Sequence, residues 1–163
     1  GKLSDAIRQY EILCSGGNGT EDPRRRFGLL QLQRSDIAEK QRQQLALQAW
    51  SPLLTLAESD AAAASRAADL LEQAGLPDKA LQLAQAAVRL APADSQYVEQ
   101  LGDRLLRRQQ PEQARDVWLQ LTVPPLQNAQ NLLLAAGIFR RAGFAADAVL
   151  AMRQALQMQA GLM

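Results

Sequence analysis

Alanines at positions 46, 80, 114 and 148 recur every 34 residues, and each opens an apolar stretch with helical spacing. Four residues further on stand Trp50, Ala84, Trp118 and Met152, and seven further on stand Leu53, Ala87, Leu121 and Ala155. Offsets of four and seven fall on one helix face, so this is one amphipathic helix written four times. A second apolar set precedes each alanine at the same period: Leu30, Ala64, Val98 and Leu132, then Ile37, Leu71, Leu105 and Phe139. It predicts a partner helix. Between these, Ala67 with Ala68, Leu101 with Gly102, and Ala135 with Ala136 supply the small side chains that let two helices approach closely.

Punctuation along the chain agrees with paired helices. Asp22-Pro23 reads as an N-cap with proline in the first turn, and Asp60 and Asp94 predict caps of the same kind. Pro77 and Pro111 are expected in the short turns between paired helices, which they force into antiparallel arrangement. At Pro52 two readings are open: a helix over roughly 41–56 that bends at the proline, or a break with Ser51 as N-cap of a new helix.

This pattern resembles the tetratricopeptide repeat, whose motif has a small residue at the eighth position and Ala at the twentieth. A bulky residue follows at the twenty-fourth, Ala at the twenty-seventh and Pro at the thirty-second. Residues 61–94 match best, through Ala68, Ala80, Ala87 and Pro92, with Gly75 in the turn. Residues 95–128 match through Leu101, Gly102, Ala114 and Trp118 but carry Pro124 and Pro125 early, and residues 129–162 match through Ala136, Phe139, Gly143 and Ala148. Residues 23–60 form a divergent repeat; within the motif frame 27–60, Arg34 replaces the small residue. Residues 1–14 read as the second helix of a further repeat whose first helix is missing. The distance from Ala6 to Ala46 exceeds the period by six residues, an excess assigned to a Gly-rich loop over 15–22. The resemblance implies an all-α fold, a right-handed α-α superhelix of antiparallel helix pairs, in one continuous domain.

Composition narrows function by exclusion. Lys plus Arg number 18 against 17 Asp plus Glu, so no strong field draws the chain to nucleic acid or an anionic membrane. Cys14 is the single cysteine and histidine is absent, which removes intramolecular disulfides, Cys/His zinc sites and imidazole-dependent triads. No apolar run approaches the roughly 20 residues needed to span a bilayer. A soluble, cytoplasmic chain with no enzyme activity, cofactor or metal is expected.

The resemblance also implies a function. In that family the first helix of each pair lines a concave groove through its second, fifth, ninth and twelfth positions. Here these are Ala62, Ser65, Asp69 and Glu72; then Gln96, Glu99, Asp103 and Leu106; then Gln130, Leu133, Gly137 and Arg140. The middle of such a groove is acidic, so a basic or mixed peptide, or a partner protein presenting one, is the ligand class implied, with Leu106 and Leu133 giving apolar contact. The carboxylate clamp that some family members use is not expected, because its positions hold Gln31, Ser35, Ser65, Asp69, Glu99, Asp103, Leu133 and Gly137. The competing reading is self-association through end helices left uncovered. Arg24, Arg25 and Arg26 read as a solvated helix start and Trp50 and Trp118 as core. Asn18-Gly19-Thr20 is a short glycosylation-like pattern without further support.

Overall fold

The computed structural model describes residues 1–15 and 21–161. Nine α-helices account for most of them: α1 (Lys2–Ser15), α2 (Glu21–Leu32), α3 (Glu39–Leu56), α4 (Ala61–Gln73), α5 (Pro77–Leu90), α6 (Ser95–Arg107), α7 (Pro111–Trp118), α8 (Ala129–Ala142) and α9 (Ala145–Ala160). A 3-10 turn at Leu119–Thr122 continues α7. The chain forms two compact units, Gly1–Ala87 and Val88–Met163. The fold is all-α, a succession of antiparallel helix pairs, and no strand occurs among the described residues.

The turns inside the pairs repeat as faithfully as the helices. Gly75, Gln109 and Gly143, each 34 residues apart, all adopt left-handed backbone with φ of 72°, 60° and 89°. The following amides of Leu76, Gln110 and Phe144 donate to the carbonyls of Leu71, Leu105 and Phe139 at 2.9, 3.0 and 2.8 Å, closing the same six-to-one turn three times. Pro77 and Pro111 sit one step later than expected, as the first residues of α5 and α7, where the missing N–H has no helical partner to lose. Asp60 and Asp94 cap as expected, accepting from Ala63 N and Gln96 N at 2.6 and 2.9 Å. Asn128 does the same for Asn131 N at 2.8 Å, a cap the sequence reading did not name.

In the first unit, Ala46, Trp50, Leu53, Leu70 and Ala74 form the core, with Leu29, Leu32, Leu54 and Leu76 packed against it. Of the two readings at Pro52 the continuous helix holds: α3 runs through the proline without a break. The repeat register here differs from the expectation. Gly28 on α2 packs against the Trp50 indole so closely that a Cβ there would overlap the ring, and in the second unit Gly102 meets Trp118 in the same way. Gly28 therefore takes the role of the small eighth residue, six positions before Arg34. The excess is shared between a longer turn, 33–38 against 74–76 and 108–110, and an earlier start of α3 relative to Ala46. The turn is held by an Arg34–Asp36 ion pair at 2.6 Å, with Arg34 hydrogen bonding keeping the Asp36 carboxyl below its usual range. Consequently Leu30 and Ile37 are only half-buried, and Gln31 takes the core place held elsewhere by Leu71, Leu105 and Phe139. The assignment of a loop to 15–22 is corrected likewise. Ser15 closes α1, while Asp22 and Pro23 lie within α2; Gly16, Gly17, Asn18, Gly19 and Thr20 lie outside the described residues.

In the second unit, α7 ends at Trp118 and tightens into the 3-10 turn, because Pro124 and Pro125 disfavour helix in the residues before them. Trp118 and Phe139 meet edge to face with centroids 6.4 Å apart, and Phe139 meets Phe144 in the same way. Both tryptophans are buried, as expected of core positions, and each indole N–H finds a carbonyl: Arg25 O at 3.2 Å for Trp50 and Glu99 O at 3.4 Å for Trp118. Arg115 on α7 makes a two-pronged ion pair with Asp147 on α9, at 2.6 and 2.9 Å.

Candidate functional site

Ten of the twelve groove positions, all but Ala62 and Gly137, carry the side chains expected to meet a ligand, and they divide between the units. Ser65, Asp69 and Glu72 lie on α4, in the first; Gln96, Glu99, Asp103 and Leu106 lie on α6 and Gln130, Leu133 and Arg140 on α8, in the second. On each helix their spacings of three, four or seven residues put them along one face. Ser65 is buried and already engaged in a polar or electrostatic interaction, as are the exposed Asp69 and half-buried Glu72. Glu99 and Asp103 are half-buried, one helical turn apart, while Leu106 keeps 38% of its surface in water. Gln130 and Arg140 are exposed, and Leu133 is 41% exposed.

Of the expected clamp positions, Gln31 is a buried core residue and Ser35 lies in the α2–α3 turn. Arg24, expected to be a solvated helix start, instead donates to the Cys14 carbonyl at 3.4 Å and ties α2 to α1; Arg25 and Arg26 are exposed. Among the described residues, no cluster of three or more Cys, Asp or Glu side chains could hold a metal ion, and no helix is long and apolar enough to cross a membrane.

An open apolar concavity lies between α8 and α9. It has a volume of about 680 Å³, and Leu133 and Arg140 form part of its α8 wall. The opposite wall comes from α9: Val149, Met152 and Leu156, with Arg153 among them. The surface is overwhelmingly carbon, the only charges are the two guanidinium groups, and no carboxylate lines it. Val149, Met152 and Leu156 remain 58%, 43% and 58% exposed.

The repeat accounts for Met152 but not for Val149 and Leu156. Ala148 and Met152 occupy the places of Ala114 and Trp118, which α7 buries to 0% and 1% exposure, whereas Ala148 is half-buried. A face that the preceding pair packs away is here turned to water. Leu133 and Arg140, named as groove positions of the first helix, also line this concavity. Met152 was placed among core positions and the α9 wall was not named; its signal was Val149 and Leu156, apolar residues outside the repeating set.

No protein-family model matches the chain, and no curated protein matches it. Solved structures do. A crystal structure of MamA superposes with a TM-score of 0.55 at 13% identity, covering 98% of this chain and 90% of that one. A second, titled as the MamA protein, gives 0.54 at 13% identity over 97% and 83% of the two chains. A double mutant named MamA RS-1 ArsTM gives 0.53 at 17% identity over 98% and 86%. These likenesses show a shared all-helical fold.

Proposed function

We propose that the chain is a tetratricopeptide-type protein-interaction module, with no catalytic step of its own, that presents helix faces to a partner protein. The observation that carries this reading is the α8–α9 groove: an apolar surface of about 680 Å³ left in water beside Leu133 and Arg140, two positions that the repeat resemblance assigns to ligand contact. Contiguous apolar concavities of this kind mark interaction sites on proteins. The shared fold with MamA supports the helical-repeat architecture on which the reading depends. Under the same proposal, Glu99 and Asp103, one turn apart on α6, offer a second, acidic contact for a basic or mixed peptide. Neither nucleic acid nor a bilayer is proposed as a partner.

Self-association is the second reading. It is favoured by Ile12 and Leu13 at the end of α1, 67% and 56% exposed, in a helix that buries no residue.

The test is affinity capture by the protein in its native source, run with the unaltered chain, with the Glu99→Lys/Asp103→Lys pair and with Val149→Asp. One discrete partner, reduced in at least one variant, is the expected result. Capture unchanged by Glu99→Lys/Asp103→Lys removes the acidic contact, and absence of any partner removes the module reading. Recovery of the chain's own copies alone favours self-association.

A further inference from the structure

We propose that the α8–α9 groove receives one amphipathic α-helix of a partner protein, with acidic residues flanking its apolar stripe. The proposal rests on the reading of the chain as an interaction module and names the chemistry of its partner.

Three observations specify the occupant. The first is the fold's own treatment of the equivalent face. In the second unit, Trp118 of α7 meets Phe139, a large apolar residue carried by the helix α8, edge to face at 6.4 Å. Met152 stands 34 residues after Trp118, so the same face recurs on α9, where Met152 is 43% exposed against 1% for Trp118.

The second is length. From Leu133 to Arg140 the α8 wall covers two turns, about 10 Å at 1.5 Å per residue, and the α9 wall from Val149 to Leu156 covers the same. A helix contributing residues at i, i+3, i+4 and i+7 fills such a trough, whereas an extended strand would leave its backbone N–H and C=O groups against carbon with no partner.

The third is charge. The α8–α9 pair carries Arg140, Arg141 and Arg153 against a single acid, Asp147, and Asp147 is already bound by Arg115. Arg140 and Arg153 stand on opposite walls of the groove, so acidic residues on both sides of the incoming apolar stripe meet a guanidinium, while a basic helix meets like charge. This separates the groove from the acidic positions on α4 and α6, which suit the opposite ligand.

The experiment uses the whole chain and two stapled 14-residue helical peptides patterned on Ala129–Ala142, the helix that packs beside α7. One keeps the arginines at its positions 12 and 13 and the other carries glutamate at both. In fluorescence anisotropy titrations the acidic peptide is expected to bind about fivefold or more tightly than the basic one, as two partly desolvated ion pairs imply. Arg140→Glu combined with Arg153→Glu should invert the preference. Val149→Asp should abolish binding of both peptides while leaving the circular dichroism spectrum unchanged, since Val149 is 58% exposed.

Equal affinity for the two peptides, or binding indifferent to Val149→Asp, overturns the proposal. Preferential binding to phosphatidylglycerol vesicles also overturns it, as does concentration-dependent self-association that Val149→Asp removes. If the peptides fail while a partner is still captured as described above, the helix proposal alone falls and the module reading stands.

Discussion

Trp118 packs its indole against the backbone of Gly102, with its indole N–H directed at the Glu99 carbonyl one turn earlier on the same helix. The contact leaves no room for a methyl group, and the ring, 1% exposed, has nowhere to move. Helix propensity alone would favour alanine at this position by about 1 kcal/mol. Overlap with a locked ring costs about 1–3 kcal/mol and outweighs that gain. Gly102→Ala is therefore expected to lower stability by up to about 2 kcal/mol in urea titrations. Gly137→Ala is the matched control: its nearest neighbour would be Arg141 Nη1 at an ordinary 3.6 Å, so it should raise stability by about 0.5–1 kcal/mol. A stable Gly102→Ala protein would show that the close approach is not a constraint.

Gln109 is the one described non-glycine residue with positive φ, at a turn position where Gly75 and Gly143 stand in the neighbouring repeats. A Cβ in left-handed backbone costs roughly 1 kcal/mol or more. Gln109→Gly should accordingly raise the urea midpoint, with a gain of about 1 kcal/mol offset slightly by the greater freedom of the unfolded chain. The reverse change, Gly143→Ala, should lose a similar amount.

Gln31 occupies a core place that the other repeats fill with Leu71, Leu105 and Phe139, and its amide oxygen has no hydrogen-bond partner. Replacing an unsatisfied buried polar group with a side chain of suitable shape removes a penalty of about 1–3 kcal/mol. Gln31→Leu is expected to stabilise the protein by at least about 1 kcal/mol in thermal or urea unfolding. Destabilisation would mean that this amide is satisfied in solution.

These two sites show where the sequence was readable and where it was not. From Ala61 onward the helix pairs follow the 34-residue period, with Ala80 and Ala114 buried at 2% and 0% between helices that need small residues. It misplaced the first repeat because the six extra residues fall between Gly28 and Ala46, in a longer α2–α3 turn and an earlier start of α3, and so shift α2 out of the 34-residue frame. Gly28 held the clue. A glycine in a helix otherwise rich in large residues marks a close approach, as Gly102 does, and Arg34 in the small-residue place was the sign of the wrong frame. Leu133 and Arg140, picked from their repeat positions, line the α8–α9 concavity. The α9 wall was not readable, because Met152 is spaced as a core residue, and periodicity alone does not say whether a neighbouring helix covers it.

Arg115 and Asp147 join α7 to α9, and hydrogen bonding to the guanidinium holds the Asp147 carboxyl below its ordinary value of 3.8. A carboxyl with a depressed folded-state pKa stabilises the fold fully above its unfolded value. That contribution is lost as pH falls through the folded one. Asp147→Asn should therefore lower the urea midpoint by a constant amount above about pH 5, and the gap from the unaltered protein should close as pH drops below about 4. A gap that persists at low pH would assign the effect to packing, through the Arg115 contact with the Phe144 ring at 6.0 Å, rather than to the ion pair.

The most direct test of the α8–α9 groove as a working interface is photocrosslinking in the native source from a benzophenone amino acid placed at Val149. Gln82, an exposed residue on α5, serves as the control position. One discrete adduct to another protein from position 149 and none from position 82 is the predicted outcome. No adduct from position 149, or the same adducts from both positions, would contradict it.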